Sequence, residues 1–266
     1  MTTAFSARAA LFRQQHASPG LLCLANAWDV GSARLIESVG APAIATTSAG
    51  VAWSLGYPDG DTLPLYLYLN VVKAVAAAVK VPVTADIEGG YSDDPKAVGA
   101  AVGRFVAAGA VGINIEDGSA SPELLAAKIA AAKRPGLFIN ARTDVWLRDL
   151  APDDEHAEVM RRAALYAAAG ADCIFIPGVT DRQVIARLAT DIRQRFGLPV
   201  NVLARVGLPD AETLAEIGVQ RLSAGSCITQ AVYGLARRLA TDFLAGNSSA
   251  LFDGAMPYPE INSLMG

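Results

Sequence analysis

Val83-Thr84-Ala85-Asp86-Ile87-Glu88-Gly89-Gly90-Tyr91 is an apolar run that ends in two carboxylates at i and i+2, followed by two glycines. Side chains alternate across a strand, so Asp86 and Glu88 are expected on one side while Ile87 turns away. Two adjacent acids repel and are costly to desolvate, unless a divalent cation or open solvent relieves them. Oxygen-only donors suit Mg²⁺ or Mn²⁺ better than zinc. The plainer alternative is that Glu88 merely begins a solvated loop. The rest of the chain decides between the two.

The pattern recurs from end to end. Short apolar runs at 21–25, 43–47, 81–86, 112–116, 137–142, 173–176, 200–203 and 221–224 alternate with Ala-rich helical stretches. The helices are expected at 31–39, 64–79, 95–108, 122–132, 153–169, 181–196, 210–217 and 228–244. Val39-Gly40, Ala108-Gly109, Ala169-Gly170 and Ile217-Gly218 read as helix ends, and Asp94-Pro95 and Ser121-Pro122 as helix starts. Strand–helix alternation implies a parallel sheet with helices outside. Eight repeats in 266 residues fit an α/β (β/α)₈ TIM barrel. An open doubly wound sheet is the alternative, but no glycine-rich phosphate loop follows its first strand. The expected organisation is a single domain, 1–266, with the barrel at about 21–244 and a tail at 245–266.

Hydrophobic residues make up 52% of the chain and charged ones 18%, ample for a large core. A net charge of −4 offers no basic face for nucleic acid. No apolar run reaches the roughly 18 residues of a membrane span, and no apolar stretch follows Arg8 and Arg13 as in a secretory signal. Cys23, Cys173 and Cys227 form an odd, sparse set in or beside apolar segments. They read as buried structural thiols in a reducing cytoplasm.

A barrel of this kind carries its chemistry at the C-terminal ends of its strands. There the sequence places Asn26 and Asp29, then Thr46 to Gly50 with Asp59 and Asp61 beyond. Asp86 and Glu88, Asn114 with Glu116-Asp117, Asn140 with Arg142 and Asp144, Asn201 and Ser223 complete the set. The strand starts read as Val, Ile, Leu or Phe. Arg142 is the single converging cation. It is either a structural ion-pair partner or a bidentate clamp on a substrate carboxylate beside a carboxylate-held metal. His16 and His156 lie away from the strand ends, which excludes a Ser-His-Asp triad, a Cys-His pair and a zinc site. No lysine lies within a strand, which argues against Schiff-base chemistry. The remaining tools suit a developing enolate or oxyanion on a 2-oxo acid chelated by a metal.

Five motifs in this order resemble the isocitrate lyase/phosphoenolpyruvate mutase superfamily. They are Thr47-Ser48-Ala49-Gly50, Gly56-Tyr57-Pro58-Asp59, Asp86-Ile87-Glu88-Gly89-Gly90-Tyr91, Ile115-Glu116-Asp117 and Asn140-Ala141-Arg142-Thr143-Asp144. The resemblance implies that Asp86 is the direct Mg²⁺ ligand, with Asp59, Glu88 and Glu116 holding the metal's waters. Asp61 is a second candidate for the role of Asp59. It also implies that Ser48 and Ala49 amides, with the Thr47 or Ser48 hydroxyl, grip a 2-oxo carboxylate. Arg142 would bind the substrate's other end or its reacting oxygen. The expected catalytic set is thus Arg142, Ser48 and Asp59, and the substrate contacts are Thr47, Ser48, Ala49, Arg142 and Asn201.

The lyases of this superfamily carry a Lys-Lys/Arg-Cys-Gly-His loop after the fourth strand, and the mutases a loop with Lys and Asn. Here Glu116-Asp117 runs directly into Gly118-Ser119-Ala120-Ser121-Pro122-Glu123. The resulting expectation is a Mg²⁺- or Mn²⁺-dependent lyase or decarboxylase of a small 2-oxo diacid such as oxaloacetate. Phosphonate chemistry and a non-catalytic 2-oxo acid binding protein are the alternatives. Superfamily members are typically tetramers whose eighth helix packs on a neighbouring barrel. Val232, Leu235, Leu239 and Phe243 on the last helix, with Leu251-Phe252 and Met256-Pro257-Tyr258 in the tail, likewise suggest a homo-oligomer, dimer or tetramer.

Overall fold

Nine short parallel strands lie in the order β1-β9-β8-β7-β6-β5-β4-β3-β2 in a computed structural model that describes residues 3–151 and 153–266. They are β1 Leu22–Leu24, β2 Asn26–Ala27, β3 Ile44–Thr46, β4 Val83–Asp86, β5 Gly112–Glu116, β6 Phe138–Arg142, β7 Cys173–Ile176, β8 Val200–Leu203 and β9 Arg221–Ser223. β1 and β2 are two halves of one stave. Leu22–Leu24 pairs with β9 and Asn26–Ala27 with β3, so both ends of the sheet belong to the same stretch of chain and close a (β/α)₈ barrel.

The outward faces of the strands are aliphatic. Ile113, Ile115, Ile139, Ile174, Ile176 and Val202 are buried beneath α5 Pro95–Ala107, α6 Pro122–Ala132, α7 Glu155–Ala169 and α8 Arg182–Phe196. Burying each such side chain contributes about 1.5–3 kcal/mol, which is why runs this short suffice as strands. α2 Val30–Ser38, α4 Leu65–Ala78 and α9 Ala211–Glu216 cover the other staves. Asp94 and Ser121 cap α5 and α6 ahead of Pro95 and Pro122, and Gly170 ends α7 in the left-handed region, as their sequence signatures require. No described helix is long and apolar enough to cross a membrane.

Several features differ from the sequence reading. A helix, α1 Thr3–Ala17, precedes the barrel and plugs its lower end with Ala9, Phe12 and His16, all buried. The Phe12 ring approaches Gly112 so closely that a Cβ there would lie 2.8 Å from it, and only glycine tolerates the contact. The stretch after β3, where no helix was expected, is the short helix α3 Ser48–Ser54. β7 and β9 begin with Cys173 and Arg221, not with aliphatic residues. Of the three thiols only Cys173 is buried, and Cys23 and Cys227 are exposed. Cys23 sits at the middle of β1 and points away from the barrel interior occupied by Leu22 and Leu24. α10 Cys227–Leu244 buries only Thr229 and leaves Val232, Leu235 and Phe243 uncovered.

Candidate active site

Asp86, the last residue of β4, is fixed through both its backbone and its side chain. Its N–H donates to Thr46 Oγ1 at 3.1 Å, and its carbonyl accepts from Tyr68 at 2.7 Å. Thr46 and Tyr68 are themselves 2.5 Å apart. Ser48 Oγ donates to the Asp86 carboxylate at 3.1 Å, with the Ser48 N–H at 3.5 Å. Ser48 opens α3, whose seat is tight: a Cβ on Gly50 would lie 2.7 Å from Thr229 Oγ1. Thr47, Ser48, Ala49, Asp59 and Asp86 line a cavity of about 170 Å³, together with Asn26, Asn114, Arg142, Phe175, Leu203 and Ser223.

Glu88 does not face this cavity. β4 ends at Asp86, and Glu88 adopts the left-handed conformation at φ 51°, unusual for a residue with a side chain. The strand therefore stops two residues short of Glu88, and the alternation expected of Asp86 and Glu88 does not hold. Glu88 opens on a neighbouring cavity of about 280 Å³ with Asp61, Glu116, Lys128 and Arg148, and its carboxylate accepts from the Asp61 N–H. Asp59 is the acid beside Asp86, and Asp61 belongs with Glu88. Asp29 is the N-cap of α2, accepting from the Ser32 N–H at 2.7 Å. Asn201 is fully buried and does not line the cavity; its Oδ1 accepts from Ser223.

Arg142 lines the cavity with its fork already engaged. Nη1 lies 2.5 Å from Glu116, its register partner on β5, and Nε and Nη2 lie 2.6 and 3.1 Å from Asp144. The ion-pair alternative for Arg142 is therefore present. Its geometry also fixes the guanidinium at the cavity wall. Asp144 is held in turn: its N–H donates to Asp117, which accepts from Arg162 at 2.7 Å and Tyr166 at 2.5 Å. Arg142 is not the sole cation, since Lys128 and Arg148 border the second cavity. Lys128 donates to the Gly89 carbonyl and so anchors the turn that carries Glu88. Tyr68, Arg162 and Tyr166 were invisible in sequence because each sits among apolar residues at helical spacing.

Burial dominates the electrostatics of the site. Burial pushes Glu88 up to about 8 and Glu116 up to about 8, the latter despite Arg142 beside it. Burial also raises Asp86, against the opposing effects of Arg142 and Ser48. Arg142 is raised: burial alone would lower it, but Glu116 and Asp144 hold it charged. Among the described residues, no three acids, histidines or cysteines converge closely enough to cage a metal unaided.

A family profile described as phosphoenolpyruvate phosphomutase matches residues 12–244. The chain belongs to this family. An uncharacterized protein of Mycobacterium tuberculosis is 42% identical over 210 residues, covering 76% of this chain and 77% of that one. An oxaloacetate decarboxylase of Rhodopseudomonas palustris is 30% identical over 254 residues, covering 88% and 81%. Among solved structures, a phosphonopyruvate hydrolase in complex with oxalate and Mg²⁺ superposes with a TM-score of 0.78 at 25% identity, covering 99% and 95%. The residues of this phosphoenolpyruvate phosphomutase family member fit a Mg²⁺ ion. The donors are carboxylate oxygens, burial disfavours their charge, and Mg²⁺ usually keeps several waters, so it needs no complete protein cage.

Proposed function

We propose that this protein is a Mg²⁺-dependent carbon–carbon lyase or decarboxylase of a small 2-oxo diacid such as oxaloacetate. The observation that carries the reading is the cavity of about 170 Å³. It joins Asp59, Asp86, Ser48, Ala49 and Arg142 to an apolar wall of Phe175 and Leu203. That volume is well below the roughly 300–1,000 Å³ of drug-sized sites and suits a ligand of a few carbons. The oxaloacetate decarboxylase relative supports the same substrate class.

In this reading Asp86 would hold the metal directly and Asp59 its waters, while Glu88 and Glu116, which open on the adjoining cavity, would contribute from that side. The bound metal would neutralise charge at the 2-oxo group. The Ser48 and Ala49 N–H groups, with the Thr47 or Ser48 hydroxyl, orient the adjacent carboxylate. Arg142, locked by Glu116 and Asp144, stabilises negative charge developing on the 2-oxo oxygen as the C3–C4 bond breaks. The departing carboxylate becomes neutral CO₂, which an apolar wall does not oppose. C3 is then protonated from solvent, so no protein acid is required, and residues 118–121 supply only Gly, Ser, Ala and Ser.

A panel of oxaloacetate, phosphonopyruvate and isocitrate, assayed with and without Mg²⁺ for pyruvate, phosphate and glyoxylate, tests this. Mg²⁺-dependent pyruvate from oxaloacetate is expected. Phosphate release would favour phosphonate chemistry, and binding without turnover a non-catalytic role. We also propose a homo-oligomer, dimer or tetramer, in which a second copy covers the apolar face of α10 and the outer face of β1. Light scattering at micromolar concentration checks it, and a monomer would end the proposal.

A further inference from the structure

Beneath the cavity the barrel interior is polar. Arg221, at the start of β9, is fully buried and has no carboxylate within ion-pair distance among the described residues. Its Nη2 donates to Asn114 Oδ1 and its Nε to Ser223 Oγ, both at 3.2 Å, and its Nη1 has no partner. Asn140 Nδ2 donates to the same Asn114 oxygen at 2.8 Å. A guanidinium has only donors, so the Asn114 atom above it must be the oxygen. That fixes the amide orientation. Asn114 lines the cavity, and among the described residues its NH₂ makes no hydrogen bond.

We infer that Asn114 is a ligand-contacting donor at the cavity floor, and that Arg221 is the positioning residue that keeps its amide nitrogen facing the ligand. The ligand class is a small oxyanion, carboxylate or 2-oxo acid, which deepens the proposed function and rests on it. Arg221 also sets a fixed positive charge below the floor, on the side away from the metal-binding acids. An unpaired buried guanidinium is a liability that a well-packed apolar side chain removes.

Oxalate binding measured by calorimetry at saturating Mg²⁺, alongside thermal unfolding, tests the inference. Asn114→Asp keeps the shape and gains an ion pair with Arg221, so its melting temperature should hold or rise. It replaces the donor with an acceptor, and oxalate affinity should fall by at least tenfold. Asn114→Leu removes the donor without adding charge and should lose about 10- to 100-fold, the range for a hydrogen bond to a charged group. Arg221→Met should raise the melting temperature yet weaken oxalate several-fold, because the Asn114 amide is then held only by Asn140, whose own amide can turn with it. A purely structural Arg221 would not move the two quantities in opposite directions. Oxalate affinity within threefold of wild type in Asn114→Asp would overturn the inference and leave the proposed function standing. Wild type that fails to bind oxalate with Mg²⁺ would overturn both.

Discussion

The titration of His16 should govern part of the acid sensitivity of this barrel. Its ring is only 5% exposed, stacked on Phe138 with 4.0 Å between centroids and edge-on to Phe12. Nδ1 lies 2.8 Å from the Phe12 carbonyl, which can only accept, so Nδ1 carries the proton and Nε2 is bare. No described group reaches that Nε2. Burial, and then the charge of Arg221, holds the ring down at about 3, against about 6.5 for a free histidine. Between these values the unfolded chain binds one more proton than the folded one. Stability is therefore complete above about pH 6.5 and declines as the pH falls toward 3. At pH 5 the interval is about 1.5 units, or ~2 kcal/mol at about 1.36 kcal/mol per unit. Urea unfolding of wild type and His16→Gln at pH 7.5 and pH 5 reads it directly. Wild type should lose ~2 kcal/mol more than the variant between the two pH values. Comparing the two losses cancels the packing change and the carboxylates common to both proteins. Equal losses would refute a neutral, buried His16.

Asp86→Ala should abolish Mg²⁺-dependent activity and calorimetric Mg²⁺ binding while the fold persists. Unchanged metal binding would remove Asp86 from its assigned role. Arg142→Lys should lower kcat/KM by about 10²- to 10³-fold, the scale of one lost oxyanion donor, because an ammonium cannot hold Glu116 and Asp144 in one plane. A near-wild-type lysine variant would leave Arg142 a structural partner only. Under native conditions iodoacetamide should spare Cys173, whose burial pushes its thiol up to about 12, and modify the exposed Cys227 without loss of turnover. Cys23 should react in a monomer and be protected in an assembly that covers β1, so its labelling at low and high protein concentration reports the oligomer independently of light scattering.

The eight βα repeats were legible because each strand is a compact aliphatic run and most helices carry their own stop and start residues. The convergence of Asp86, Ser48 and Arg142 followed from strand ends, whereas Asp59, which lies beyond α3, came from the family resemblance with Asp61 as the alternative. α1 escaped because its buried set, Ala9, Phe12 and His16, is sparse and partly polar; only the spacing i, i+3, i+7 hinted at a helix face. α3 escaped because Thr47-Ser48-Ala49-Gly50 has the composition of a turn, and its glycine serves contact with Thr229. The splitting of Glu88 from Asp86 depends on a single positive φ, which no alternation rule supplies. The engagement of Arg142 by Glu116 depends on strand register, since the two are cross-strand neighbours on β5 and β6, and register is not written in either strand.

The polar interior explains how one barrel can carry opposite charges without cancelling them. Had Arg221 reached Asp86 directly, the pair would have neutralised itself, and the rim would have little affinity left for a cation. Instead a layer of neutral groups, Asn114 and Ser223, takes both of the guanidinium's hydrogen bonds and holds it below the floor. Asp86 still acts on Arg221 through space and raises its pKa, against the larger lowering by burial. The consequence is a graded field: positive beneath, neutral donors at the floor, carboxylates at the rim. In the proposed reading an anionic ligand at the floor and a metal at the rim would each meet the charge they need. The same layering accounts for the two kinds of incompleteness seen here, acids raised by burial at the rim and a guanidinium nitrogen without a partner beneath them. Arg142 and Ser48 offset part of the cost of burying the rim acids, and a proton or a cation beside them would offset the rest, whereas neither reaches the guanidinium nitrogen beneath.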